Sequence, residues 1–278
     1  MPPSIPRNDP GRVAARRAAR LVRDIGPALA SEGQLYLVYQ PKTDLGTGRC
    51  VGAEALLRWT HPALGPIDPN EFVVLIEQTT LIHAVTDWVL GAALPQTARW
   101  WMAGLDLRVS INVSMVNLAD EHFVARLEEL LDRHAVRQDW IDIEVTESAL
   151  MKNPVEVRHQ LDAIGRLGIA IAIDDFGTGQ SSLSYLKYIP ATYVKIDQLF
   201  ISRLASDRDD QIMVRSTINL VHELGRLVVA EGIADTASCD WLRQHGCDIG
   251  QGDAISPPLV AQSFEQWLRT RSQLHSSG

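Results

Sequence analysis

The chain's 278 residues are 46% hydrophobic and 22% charged, a balance that excludes a disordered chain and provides enough apolar mass for one large core. A formal net charge of -8 argues against a surface made for polymeric nucleic acid, because a phosphate backbone is held by surplus Lys and Arg; any phosphate partner must be met locally. Cys50, Cys239 and Cys247 form no CxxC and no zinc or disulfide spacing, the Pro- and Arg-rich start lacks the apolar run of an export signal, and no later stretch approaches ~20 apolar residues, so a cytoplasmic protein without a membrane span is expected.

Residues 1–12, with Pro2, Pro3, Pro6 and Pro10, read as a flexible tail. A helix follows from Val13 to Leu29, crowded with Arg16, Arg17, Arg20 and Arg23. It reads as a solvated face or a stub toward another domain, with a nucleic-acid arm as the alternative. Apolar segments then recur: LYLVYQ from Leu35, VGAEALL from Val51, LRVSINV from Leu107, IDIEVT from Ile141, IAIAIDD from Ile169, TYVKID from Thr192, LVVAEG from Leu227 and CDIGQG from Cys247. Between most of them lie helical patterns over Thr86–Met102, Glu121–His134, Pro154–Leu167, Asp210–Leu224 and Thr236–His245. In the fourth, Met213, Leu220, Val221 and Leu224 are expected to share the packed face, and Gly225 to close the helix. Alternation of this kind implies a parallel sheet, and eight strand–helix units imply an α/β TIM-type (β/α)8 barrel. The expected organisation is one barrel domain over 13–270 with a short N-terminal helical extension and a tail over 271–278.

Buried parallel strands should be continuously apolar, yet almost every strand here carries a polar residue near its C-terminal end. In order these are Gln40, Glu54, Asn112, Glu144, Asp174 with Asp175, Lys195, Glu231 and Gln251. Singly, each has a bland reading: Glu54 an exposed strand residue, Asn112 a turn former, Lys195 a snorkelling amine, Gln251 part of a glycine turn. In a barrel, however, strand C-termini converge on one face. The carboxylates of Glu54, Glu144, Asp174, Asp175 and Glu231 would repel one another there unless cations lie among them. Carboxylates and an amide, without Cys or His, suit Mg2+ or Mn2+, and two such ions about 3.5–4 Å apart would clamp a phosphodiester and activate a water. Asp174 and Asp175 offer a bridge between ions, Lys195 a charge that orients the water, and the FGTGQSS segment from Phe176 a close-approach loop. The histidines, including His61 in its HP turn, read as structural or surface groups.

GAEALLRW around Glu54 resembles the signature of the EAL-domain phosphodiesterases, which open cyclic di-GMP to linear pGpG. The ordered set behind it is more specific: HPALGPIDPNEF from His61, SINVS from Ser110, EVTES from Glu144, DDFGTGQSSLSYLKYIP from Asp174, VKID from Val194, AEG from Ala230 and the QG of Gln251. The resemblance runs from about Arg17 to Leu268. It implies that Glu54, Asn112, Glu144 and Asp174 surround one metal ion, that Asp174 and Asp175 hold a second, and that Glu231 is a further metal-site carboxylate. It also implies catalytic parts for Glu54, Lys195, Glu231 and Gln251, with Lys195 positioning the nucleophilic water. Gln40, Arg58 and Asp197 are implied to meet the substrate, Glu147 to anchor the Asp174–Ser182 loop, and the protein to form a homodimer and answer to a regulatory partner. Three positions depart from the family pattern: Ala234 for a glutamate, Asp253 for an aromatic, and Thr192 for an aspartate. The first two leave open a receptor that binds cyclic di-GMP without cleaving it. On the metal reading, Glu54→Ala or Lys195→Ala is expected to stop turnover with little loss of stability.

Overall fold

Side chains on a strand alternate between its two faces, and in this chain the alternation sorts Val109, Ile111, Ile143 and Val194 outward against helices while Ser110, Glu144 and Lys195 turn inward. The structure, a computed structural model, describes residues 10–152, 154–178 and 186–275. Its strands are β1 (Leu35–Asp44), β2 (Cys50–His61), β3 (Gly65–Ile67), β4 (Arg108–Asn112), β5 (Ile141–Thr146), β6 (Ala170–Phe176), β7 (Tyr193–Ile196), β8 (Leu227–Ala230) and β9 (Ile249–Gly250). They hydrogen-bond in the order β1-β9-β8-β7-β6-β5-β4-β2, and β1 also pairs with β2, so eight strands close a TIM-type barrel.

From β2 through β9 the ring neighbours are parallel, as helix-separated strands must be. The all-parallel expectation fails at β1, which runs antiparallel to β9 with Thr43 opposite Gly250. Its cause is the link to β2: a parallel neighbour needs a crossover of about a dozen residues, whereas Asp44 and Arg49 already bond to each other at 2.9 Å. Thr47 closes that turn by donating its N–H and Oγ1 to the Asp44 carboxylate at 2.7 and 2.8 Å.

The expected helices appear as Leu81–Met102, Phe123–Arg133, Pro154–Arg166, Arg208–Glu223 and Thr236–Gln244, and another, Ala261–His275, runs past residue 270. Helix Arg208–Glu223 opens at Asp207, whose carboxylate accepts from the N–H groups of Asp209 and Asp210, and is followed by Gly225 at φ +71°. Its packed face is a correction: Val214, Ile218 and Val221 are buried, while Met213 is 52% and Leu224 38% exposed. A stripe built on 214, 218 and 221 keeps the i, i+4, i+7 spacing that Met213 breaks.

By chain contacts, Leu37–Leu56 with Val89–Gly278 form one unit and Met1–Tyr36 with Leu57–Trp88 another. In the second unit, helix Pro10–Leu29 starts inside the expected tail and buries Leu21, Ile25 and Ala28. Its arginines are partly spoken for, since Arg17 pairs with Glu71 and Arg23 with Asp24 at 2.7 Å. Helix Pro69–Ile76 is capped by the Asp68 carboxylate, which accepts from Asn70 N–H at 2.9 Å, and buries Phe72 edge-on to Trp59. β3 pairs antiparallel with the end of β2, and His61, 4% exposed, accepts from the N–H groups of Ala63 and Leu64 and meets Asp24 at 3.1 Å. Its role there is structural.

Candidate metal centre

Parallel register brings the polar strand ends together. Asn112 lies beside Glu144 in the β4–β5 ladder, Thr146 beside Asp174 in β5–β6, and Ile196 beside Ala230 in β7–β8, one residue before Glu231. Gln251 follows β9 at once. On β6 the pairing with β7 slips between Ile173 and Phe176, and Asp175 takes φ +56°. An extended strand would send successive side chains to opposite faces; a bulge re-aims one of them. Asp174 and Asp175 therefore both reach the mouth, where their carboxylate oxygens lie within 4.8 Å of one another and of Glu231.

A second group, Glu54, Glu144 and Asp174, meets the same 4.8 Å limit, so Asp174 belongs to both. The Lys195 ammonium lies in the middle of them. Fully buried, it bonds Glu144 Oε2, approaches Glu231 at 2.8 Å, Asp174 at 3.1 Å and Glu54 at 3.6 Å, and so touches four carboxylates. The snorkelling alternative for this lysine is thereby excluded. Glu54 is aimed by two amides: Asn112 Nδ2 donates to Oε1 at 2.6 Å and Gln251 Nε2 to Oε2 at 2.7 Å. Gln251 Nε2 also donates to Gln40 Oε1 at 2.9 Å, while its own Oε1 is buried without a hydrogen-bond partner among the described residues. That oxygen is an acceptor with capacity to spare.

Burial and charge divide the carboxyls. For Glu144, burial pushes the pKa up, but the Lys195 and Lys42 ammonium groups outweigh it and hold the value at about 2. Glu231 goes the other way, well above the usual range, because burial and the neighbouring carboxylates outweigh Lys195. Asp175 is pushed up to about 6, first by burial and then by Asp174 and Asp197. Burial opposes the charge on Lys195, yet Asp174, Glu144, Glu231 and Glu54 raise its pKa well above the ordinary lysine value. Lys195 is thus a fixed cation and donor and cannot act as a proton acceptor near neutral pH. One ammonium cannot neutralise four carboxyls, so the charge on Glu144 is favoured while Glu231 is driven toward its protonated form.

The charge argument from sequence missed one group. Lys42 on β1, 6% exposed, bonds Glu144 Oε1 and donates to Ser110 Oγ at 2.6 Å. Gln40 with Lys42, Ser110 with Asn112, and Asp142 with Glu144 each lie two apart on a strand, a spacing that marks the inner residues even away from the strand ends. Together Lys42 and Lys195 relieve part of the repulsion. The five carboxylates of the two clusters against these two ammonium groups still leave a formal charge of -3 when all are ionised. An all-oxygen, net-negative donor set with no His or Cys fits hard divalent cations.

Around this centre, Asp197 caps the short helix Gln198–Ile201 by accepting from Leu199 N–H at 2.7 Å, close enough to Asp175 to hydrogen-bond it. Glu147 Oε2 accepts from Gly177 N–H at 2.9 Å, a contact of the kind expected of a loop anchor, while residues 179–185 of that loop lie outside the described residues. Gly252, at φ +153°, lets the chain after Gln251 pass so close to Ile233 that a Cβ would sit 2.2 Å from Ile233 N. Arg58 falls in the other unit, on the later part of β2, where its Nη1 donates to Leu57 O at 2.9 Å. Ala234 and Asp253 are exposed, and Thr192 immediately precedes β7, at the opposite end of the strand from the carboxylates.

Residues 22–258 match the family model of the EAL domain. A cyclic di-GMP phosphodiesterase of Pseudomonas aeruginosa is 41% identical over 262 residues, which are 94% of this chain and 45% of that protein. The bifunctional diguanylate cyclase/cyclic di-GMP phosphodiesterase MucR of the same organism is 38% identical over 251 residues, 90% of this chain and 36% of its own length. The chain thus spans less than half the length of these relatives. Among solved structures, a MucR phosphodiesterase in complex with c-di-GMP aligns with TM-score 0.84 at 38% identity, covering 88% of this chain and 99% of the other. The EAL enzyme Bd1971, in a form with cAMP and cyclic-di-GMP bound, aligns with TM-score 0.86 at 31% identity, covering 92% and 70%.

Proposed function

The chain belongs to the EAL domain family, and from that premise we propose that it hydrolyses cyclic di-GMP to linear pGpG with two bound divalent cations, Mg2+ or Mn2+. The observation that carries this reading is a fully buried Lys195 ammonium ringed by Glu54, Glu144, Asp174 and Glu231 in a cluster that keeps excess negative charge. Glu54, Asn112, Glu144 and Asp174 would hold one ion, and Asp174, Asp175 and Glu231 the other. Bound cations of this kind polarise a phosphoryl oxygen and make water a nucleophile near neutral pH.

The protein's own residues supply position and charge. Lys195, as a permanent donor, holds an attacking oxygen and favours its anionic form. Asn112 and Gln251 fix Glu54 so that its carboxylate does not turn away from the site. The unpartnered Gln251 Oε1 accepts from a water or a substrate donor. Gln40, Arg58 and Asp197 are assigned to the substrate, the arginine through a phosphate for which its fork is suited. Glu147 holds the start of the loop that follows Asp175. The proposal includes residues 13–270 as the catalytic barrel, a homodimer, control by a partner protein and a cytoplasmic site of action.

Incubation of the protein with cyclic di-GMP and each metal, with product separation, tests the reaction: pGpG should appear only with Mg2+ or Mn2+. Binding of cyclic di-GMP without consumption, even at high Mn2+, would instead establish the receptor reading, which the exposed Ala234 and Asp253 motivate.

A further inference from the structure

Two lysines share the two oxygens of Glu144, and only Lys195 is absorbed by the reaction. Lys42 bonds the other oxygen, Oε1, from the layer of side chains one step toward the strand N-termini. It is held there from below: its ammonium donates to Ser110 Oγ at 2.6 Å, Ser110 approaches Asp142 Oδ2 at 3.4 Å, and Arg108 lies 3.7 Å from Asp142 Oδ1. Lys42, Ser110, Glu144 and Asp142 are all at most 6% exposed, so water screens little of this charge. The partners of Lys42 are Ser110 and Glu144, with neither Asp175 nor Glu231 among them, and no geometry here brings it to a reacting atom.

On the metal-site reading above, we infer that Lys42 is a positioning residue that sets the affinity of the Glu54–Glu144–Asp174 cluster for a divalent cation. Its pinned positive charge keeps the metal-free carboxylates together and opposes a second cation arriving at the same glutamate. Two consequences have opposite signs. Without metal, Lys42 stabilises the fold by pairing the Glu144 oxygen that Lys195 leaves free. With metal, the same charge weakens binding, because ammonium and divalent cation repel across a poorly screened interior.

The test is direct Mn2+ titration of the folded protein, followed by the EPR signal of free Mn2+, in the wild type and in Lys42→Gln, Lys42→Met and Lys42→Arg. Lys42→Gln removes the charge and keeps a donor toward Glu144; Lys42→Met removes both; Lys42→Arg keeps the charge. Both neutral variants should bind Mn2+ at least about fivefold more tightly, and the arginine variant should stay within about twofold of wild type. A donor that merely orients Glu144 predicts the reverse, with weaker binding in Lys42→Met and no change in Lys42→Gln. That outcome, or equal affinity in all four proteins, overturns the inference while leaving the metal site standing. Should Lys42→Met fail to fold, the glutamine variant decides alone. A wild type that takes up no Mn2+ overturns the metal site and the inference together.

Discussion

Lys195 and Lys42 bind the same glutamate, one on each oxygen, and both are buried in the barrel, yet their surroundings make them different instruments. Lys195 touches four carboxylates, every one a candidate metal ligand, at the mouth where strand ends converge. Lys42 touches one of those carboxylates and a serine, with Asp142 and Arg108 beyond, in the layer beneath. A buried charge does what its neighbours allow. Among ligands that must also accept a cation and an attacking oxygen, an ammonium is part of the chemistry; one layer down it is a fixed background charge.

The largest effect that separates the two lysines belongs to Lys195→Met. Turnover should fall by about 10³-fold or more, since a permanent donor at the attacking oxygen is lost. The expectation from sequence that Lys195 could be removed with little effect on stability does not suit a residue at 0% exposure with four partners. Breaking a buried pair by removing one partner costs about 3–5 kcal/mol. Thermal unfolding in EDTA should show that loss, and saturating Mn2+ should recover much of it by returning positive charge to the cluster. For Lys42→Met the loss in EDTA should be smaller, because Lys195 still holds Glu144. Equal melting losses in the two variants would erase the distinction between them.

A smaller effect, about an order of magnitude in affinity, comes from the protons the carboxyls hold. Asp175, pushed up to about 6, and Glu231, raised well above the usual carboxyl range, must both ionise before they ligate a cation. Glu144, at about 2, is already charged. Mn2+ affinity should therefore rise by about tenfold or more between pH 5 and pH 7, with protons released on binding. Calorimetry in two buffers of different ionisation enthalpy measures that release. A flat affinity from pH 5 to pH 7 would mean that the Asp174–Asp175–Glu231 cluster is not the one that takes up the ion.

The mouth was legible in sequence because a carboxylate or amide ending a buried apolar strand is anomalous wherever it stands: Glu54, Asn112, Glu144, Asp174, Asp175, Lys195, Glu231 and Gln251 do meet. The layer beneath was harder to read. Lys42 follows Pro41 in the middle of a strand with an intermediate or exposed residue at Tyr36, Leu37 and Gln40, so its burial depends on the ring closing around β1, which the strand's own pattern does not announce. Asp142 follows the same rule, since only the closed ring makes an i, i+2 pair of acids on β5 an interior pair. Helix Pro69–Ile76 had readable signals, an Asp before a Pro at the first helical position, but its eight residues are too short for periodicity to reveal. Asp175 is a third kind of case. Its left-handed backbone arises from a bulge between β6 and β7, a property of two strands that neither segment contains alone.

The smallest expected effect sharpens the comparison at its lower end. Arg108 is half-exposed and stands 3.7 Å from Asp142, which is 5% exposed and whose pKa is already raised by burial against the pull of Lys42 and Arg108. In Arg108→Gln one positive charge disappears, and Asp142, losing a partner that favours its ionised form, is pushed further toward taking a proton. That shift partly offsets the lost positive charge, so the field that Lys42 feels changes little. Stability should move by no more than about 1 kcal/mol, the scale of a screened, partly exposed pair, and Mn2+ affinity by no more than about twofold. A change as large as that of Lys42→Gln would show that the background charge under Glu144 is the whole Arg108–Asp142–Lys42 group, and the contrast between the two lysines would have to be redrawn as one between two layers of the barrel.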